Sequence, residues 1–355
     1  MSDYSKKIEA LIRPNIRELK PYSSARDEAP EAAAISIHLD ANENSFGGPL
    51  NADFSRYPDP NLRALKQTLA KLRGVSSNQI FVGNGSDEAI DLLFRAFVEP
   101  GLDNVVILPP TYGMYAVQAN IHGAEIRQAP LNKQFEADAQ AVRDVMDARS
   151  KLLFICSPNN PTGQCLSKDF VRSMLTEFPG IVVIDEAYID YTEGNSWVPM
   201  LEQFPNLVVL QTLSKAWGLA GLRIGMAYSN SLIINVLNKI KYPYNLNVVS
   251  TELALQALSM PEKVTDNIVQ TLRERRRLEA ELPRFSYVEK VFPSDANFLL
   301  VRVQEADSLY AYLSSHCILV RNRSRELHCE NCLRITVGTG AENSRLLEVM
   351  GNYRL

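Results

Sequence analysis

The chain has 355 residues, 46% of them apolar and 22% charged, and a formal charge of −4. That length can carry a large core and two domains, and the charge balance offers no basic stripe to recruit nucleic acid. No apolar run approaches the ~20 residues that cross a bilayer, so no membrane partner is expected. The opening "MSDYSKKIEALIRPNIRELKPY" is of mixed charge and lacks the apolar segment of a secretory signal, which makes cytoplasm the expected location.

In chain order, residues 1–30 are expected to form an N-terminal arm or to pack against a smaller domain. From Ile80 onward the runs "QIFVG", "NVVILP", "KLLFICS", "IVVIDE", "NLVVLQT" and "IGMAYS" read as buried strands. Helical patterns fall between several of them, including Asp87 to Val98 and Lys168 to Glu177. This alternation predicts an α/β fold with a mostly parallel central sheet flanked by helices. After the helical "VTDNIVQTLRERRRLEAELPRF" the texture changes: "YVEKVF", "NFLLVRV" and "CILVRN" surround helical "ADSLYAYLSS", and a last helix is expected after Gly340. The expected division is an arm over 1–30, a large domain over 31–284 and a smaller α+β domain over 285–355.

Five cysteines in so long a chain do not make a disulfide framework. Cys329 and Cys332, with His328 beside them, have metal-like spacing. A structural zinc site takes four ligands, often as two such pairs, and no second CxxC exists. Reduced thiols and no metal are expected.

Four polar motifs follow expected strands, where ligands gather in parallel sheets. In "FVGNGSDEAI", Ser86 and Asp87 open a helix; they can serve as caps, or with Gly85 they can present free N–H groups to an anion. In "FICSPNNPTG", Asn159, Asn160, Pro161 and Gly163 suit an ordinary turn, and Asn160 could also donate its amide to a ligand oxygen. In "VVIDEAYIDY", Asp185 ends an apolar strand and must be solvated, paired or used. It can cap the following turn, or face a cationic ring nitrogen with Tyr188 on a nearby oxygen. Glu186 points the opposite way. In "TLSKAWGLAGLRIG", Ser214 and Arg223 suit a phosphate, and glycines at 218, 221 and 225 allow close backbone approach. Lys215 is either a surface lysine or an amine able to form a Schiff base.

Taken in order, "GNGSDE", "SPNNPTG", "DEAY" and "SKAWGLAGLRIG" resemble the fold-type I pyridoxal-phosphate-dependent aminotransferases. "RELKPYSSAR", "LDANENSFGG", "RYPDP" and "LRITVGT" extend the resemblance over almost the whole chain, toward the subfamily that acts on histidinol phosphate in histidine biosynthesis. One departure is "ENSFGG", where that subfamily commonly has a proline after the second Asn.

The resemblance implies a role for each residue. Lys215 would bind pyridoxal 5'-phosphate covalently and shuttle the proton. Asp185 would hold the ring nitrogen protonated, Asn160 and Tyr188 would bond the ring hydroxyl oxygen, and Tyr112 would stack on the ring. Gly85, Ser86, Asp87, Ser214 and Arg223 would share the phosphate, joined by Tyr57 from a neighbouring subunit, which implies a homodimer with shared active sites. Arg334, Arg321 and Tyr22 would take the substrate's phosphate, Arg334 also the glutamate α-carboxylate, and Glu43 would face the substrate's polar side chain. The implied reaction moves an amino group between a small-molecule donor and an oxo-acid acceptor. A threonine-phosphate decarboxylase-like lyase and an aromatic amino-acid aminotransferase share much of this pattern. A regulatory module keeping only cofactor binding is not expected, since Lys215, Asp185, Asn160, Tyr188 and Arg223 are all present and no basic helix-turn-helix pattern is seen ahead of the core.

Overall fold

The computed structural model describes residues 3–22, 37–50, 54–192, 194 and 196–354. Among them the strands are β1 (Ile80–Asn84), β2 (Asn104–Ile107), β3 (Glu125–Gln128), β4 (Ser150–Cys156), β5 (Ile181–Asp185), β6 (Leu207–Thr212), β7 (Ile224–Ser229), β8 (Val288–Val291), β9 (Phe298–Val303), β10 (Arg321–Asn322) and β11 (Cys332–Thr336). Strands β1 to β7 form a mixed seven-stranded sheet, and β8 to β11 a four-stranded one. The chain divides into two compact units, Met1–Val98 with Val198–Pro261 and Glu99–Trp197 with Glu262–Leu355.

In the first unit the strands run β1-β7-β6, and both pairings are antiparallel. Every residue of β6 and β7 is buried, as expected of strands covered on both faces. Helix Ser86–Phe97 buries Ile90, Leu93, Phe94 and Phe97, a 3.6-residue stripe turned to the core. Helix Ser231–Ile240 begins at Asn230, whose side chain accepts from the amides of Leu232 and Ile233. Such a cap contributes about 1 kcal/mol. Helices Asp3–Leu11 and Pro14–Glu18 are tied to this unit: the Arg13 amide donates to the Ala96 carbonyl at 2.9 Å, and Lys239 Nζ donates to the carbonyls of Ile16 and Arg17. The remainder of the expected arm, 23–30, lies outside the described residues.

In the second unit β5-β4-β2-β3 are parallel. Register pairs Cys156 with Asp185, so β4 and β5 end side by side. The four-stranded sheet, β10-β11-β9-β8, has a core of its own around Leu299, Val301, Leu309, Leu333, Ile335 and Leu346. The last helix, Gly340–Asn352, starts on a capping box between Thr339 and Glu342.

All six apolar runs from "QIFVG" to "IGMAYS" are strands. The expected parallel pairing holds through β5-β4-β2-β3, with β7 antiparallel to β1 and β6. Two local readings differ. Edge strand β3 carries no buried residue, so it had no apolar run to betray it. Most of "CILVRN" is not strand: Cys317 (φ 61°) and the Ile318 amide, donating to the Leu313 carbonyl, close the preceding helix, which leaves Arg321–Asn322 as β10.

Candidate active site

The turn after β1 is built from backbone. Gly85 precedes the helix with φ 76° and no side-chain cap, so Ser86 and Asp87 lie inside the first turn instead of capping it. Only glycine takes that φ without strain. The Gly85 amide donates to the Arg223 carbonyl at 2.7 Å, and Arg223 is itself left-handed at φ 56°. Gly225 on β7 approaches so closely that a Cβ there would lie 2.0 Å from the Ser86 nitrogen. The result is a helix start whose first N–H groups lack intrahelical acceptors and whose dipole favours an anion. Arg223 Nη2 lies 3.5 Å from Asp87 Oδ2, with the guanidinium half exposed.

The β6–β7 connection carries Ser214 and the exposed Lys215. Thr212 Oγ1 donates to the Ile224 carbonyl (3.2 Å) and accepts from the Ser214 amide (3.0 Å), pinning this connection at both ends. The Gly218 amide donates to the Lys215 carbonyl at 3.0 Å, in a turn where Gly218 takes φ 68°. Tyr57, 51% exposed, stacks on Tyr244 with ring centroids 4.5 Å apart. Glu43 accepts from Arg56 Nη1 and from the Tyr57 amide, both at 2.7 Å, so it fixes the "RYP" turn. Tyr22 is exposed.

In the second unit the polar groups are buried side chains. Asp185 is 3% exposed; Oδ1 accepts from the Ala187 amide at 3.0 Å, and Oδ2 from the Tyr115 hydroxyl at 2.7 Å. The carboxylate thus closes its own turn and is buried against the Tyr115 hydroxyl. Burial first, then the Asp185 charge, pushes the Tyr115 phenol pKa well up, so Tyr115 stays a donor. Tyr115 stacks on Phe154 and meets Tyr112 edge-on. Glu186 turns away and accepts from Ser196 Oγ and the Trp197 amide.

Asn159 and Asn160 divide their duties. Asn159 holds the loop, donating to the Pro110 carbonyl and Thr162 Oγ1. Asn160 Oδ1 accepts from Arg334 Nη1 at 2.5 Å. The Arg334 guanidinium lies over the Phe298 ring, 5.2 Å from its centroid, and Tyr188 meets the same ring edge-on. Burial raises the Tyr188 phenol pKa, keeping it protonated. Arg334 Nε is buried with no hydrogen-bond partner; burial, Arg323 and Arg321 depress the guanidinium's pKa, and Tyr188 opposes them. Arg321 lies opposite Arg334 in the β10–β11 register.

Each unit therefore gathers its own expected residues: Gly85, Ser86, Asp87, Ser214, Lys215 and Arg223 in the first; Tyr112, Asn160, Asp185, Tyr188, Arg321 and Arg334 in the second. Sequence reasoning missed Tyr115 and Phe298, whose partners are distant in the chain. The second tyrosine of "PTYGMY" was the available hint for Tyr115, since a buried phenol needs an acceptor. Among the described residues no group of three or more His, Cys, Asp or Glu could hold a metal, the five cysteines are free thiols, and no helix is long and apolar enough to cross a membrane.

Comparison with known proteins agrees with this chemistry. A family model for aminotransferase class I and II matches residues 39–350. A histidinol-phosphate aminotransferase of Parabacteroides distasonis is 52% identical over 352 residues, covering 99% of this chain and 100% of that one. Another from Cytophaga hutchinsonii is 48% identical over 346 residues, covering 98% and 99%. The crystal structure of the histidinol-phosphate aminotransferase from Sinorhizobium meliloti in complex with pyridoxal-5'-phosphate matches with a TM-score of 0.76 at 25% identity, over 88% of this chain and 90% of that one.

Proposed function

The chain belongs to the class I and II aminotransferases, and on that premise we propose that it transfers an amino group between L-histidinol phosphate and 2-oxoglutarate, in the cytoplasm, with pyridoxal 5'-phosphate as cofactor. The observation that carries the substrate reading is the arginine pair on β10–β11: Arg321 opposite Arg334, with Arg334 Nε buried and without an acceptor. Paired guanidiniums suit a phosphate dianion, and an N–H left bare by burial is costly until an oxyanion takes it.

The residues of each unit fit the cofactor. The Gly85–Ser86–Asp87 backbone, Ser214 and Arg223 would hold its phosphate, at a helix start that β7 approaches closely because Gly225 lacks a Cβ. Asp185 would pair with the ring nitrogen, Tyr112 would pack on the ring, and Asn160 and Tyr188 would bond its hydroxyl oxygen. When bound, the cofactor supplies an electron sink that acidifies the substrate's Cα–H. Lys215 would attach the cofactor and would carry the proton to and from the substrate's Cα. A buried carboxylate at Asp185 would favour the protonated ring nitrogen. Arg334 binds the substrate phosphate with Arg321 and Tyr22 in one half-reaction and the glutamate α-carboxylate in the other. Glu43 serves this site through Tyr57, since Arg56 and the Tyr57 amide engage its oxygens.

A homodimer with shared active sites follows from the same reading, with Tyr57 serving the neighbouring copy. The exposed Ile37, Leu39, Phe46, Leu50, Phe54 and Tyr242 of the first unit support it, because such a density of bare apolar side chains marks an interaction face. The domain reading also stands as a proposal: 285–355 as the small domain is supported by its four-stranded sheet and separate apolar core.

Half-reactions test the function. Purified holoenzyme is mixed separately with histidinol phosphate, glutamate, phenylalanine and threonine phosphate, and the cofactor's visible absorbance is followed. Histidinol phosphate and glutamate should convert it. Conversion by phenylalanine without histidinol phosphate, or carbon dioxide release from threonine phosphate, overturns the substrate assignment. Lys215→Ala should lose multiple turnover by about a thousandfold or more; full turnover in that variant would sink the catalytic role.

A further inference from the structure

Strand pairing decides which arginines of "RNRSRE" share a face with Arg334. Arg321 lies opposite Arg334, and the Arg323 amide donates to the Cys332 carbonyl at 2.8 Å, which carries the pairing one step further. Residues opposite one another, and residues two apart along a strand, project to the same face. Arg321, Arg323 and Arg334 therefore share one face, while Leu333 and Ile335 of the other belong to the apolar core.

The two arginines of the β10 side differ in how they are held. Arg321 is exposed. Arg323 is 27% exposed and donates from Nη1 to Glu326 Oε1 at 2.8 Å, and its Nε, like that of Arg334, is buried without a hydrogen-bond partner. Two bare guanidinium N–H groups on one face are donors for an oxyanion. The charge of Arg323 also weighs more on Arg334 than that of Arg321 does, and it is felt at Tyr188.

We propose that Arg323 is a specificity-determining residue, a third guanidinium for the phosphate of the amino donor, held in place by Glu326. This rests on the reading that the donor carries a phosphate monoester. A dianion with three oxygens gains from a third cation, whereas the glutamate α-carboxylate has two oxygens and one charge, which a single arginine fork satisfies.

The test uses the full-length holoenzyme and the variants Arg323→Gln and Arg323→Lys, comparing both half-reactions. In Arg323→Gln the KM for histidinol phosphate should rise about tenfold, as loss of one charge-assisted bond implies. Its kcat should stay within about twofold and the glutamate KM within about threefold, so that the glutamate arm doubles as a folding control. Arg323→Lys keeps the charge without the fork and should recover part of the loss. An unchanged KM for histidinol phosphate, or equal losses with both donors, overturns the proposal. If the unmodified enzyme itself fails to react with histidinol phosphate, the substrate reading falls first and this inference with it.

Discussion

The turn after β1 and the pocket of side chains around Asp185 are both built to hold charge, and they are made of different material. In the first unit, Gly85 and Gly225 let backbone amides and a helix start converge, with Arg223 half exposed beside them. In the second, Asp185, Asn160, Tyr188 and Arg334 are side chains held by other side chains, and water reaches little of them. Backbone sites fail when atoms are added, because there is nowhere for them to go. Side-chain sites fail when a donor is removed, because the group left behind is already desolvated.

The largest effect expected from breaking this contrast is at Gly225. In Gly225→Ala the new Cβ would lie 2.0 Å from the Ser86 nitrogen, where neither strand nor helix can yield cheaply. The variant should lose ~3 kcal/mol or more of stability and bind cofactor more weakly, as urea unfolding and cofactor titration would record. An unchanged unfolding midpoint would mean that the close packing of this turn is not as tight as described. Tyr115→Phe makes the complementary cut: it keeps the ring on Phe154 and deletes the hydroxyl that donates to Asp185 and neighbours the Cys156 thiol. A bond to a charged group is worth about 1.5–3 kcal/mol. Here it should appear as weaker cofactor binding and an altered pH dependence of the bound cofactor's spectrum. A loss of thermal stability with both of those unchanged would reduce Tyr115 to a packing residue.

The smallest effect sharpens the contrast with a half-buried cation. Burial first, then Lys241, pulls the Lys66 ammonium down to about 8. The folded state therefore holds fewer protons than the unfolded chain between pH 8 and the ordinary lysine value of 10.5, and stability should rise with pH through that window. Lys66→Met should be more stable by ~1 kcal/mol at pH 7 and flatter above pH 8, as unfolding midpoints across the series will show. A variant no more stable at neutral pH would place the Lys66 ammonium in water.

The same contrast explains what could be read from sequence. The glycines, the apolar runs and the polar residue at each strand end are local signals, and they single out Lys215, Asp185, Asn160 and Arg223 as candidates from sequence alone. Tyr115 and Asp185 are 70 positions apart, and Arg334 and Asn160 are 174 apart. No spacing rule announces such partners; only the fold selects them. Arg323 was hidden for a different reason: in "RNRSRE" one arginine looks like the next until pairing with β11 assigns their faces. Gly85 displaced Ser86 and Asp87 from the cap because the tight approach of β7 needs a positive φ there, a tertiary demand that outweighed capping preference.

The pinning of the β6–β7 connection by Thr212 has a kinetic consequence. Both ends of the segment bearing Lys215 are fastened to one hydroxyl, through the Ser214 amide and the Ile224 carbonyl. The amine therefore explores space through its own side-chain torsions and gains little from backbone excursions. A tethered group confined to so small a volume acts at a high effective concentration. Under the proposed role of Lys215, an amine displaced by substrate would return by an intramolecular search that no free amine in solution could match in speed.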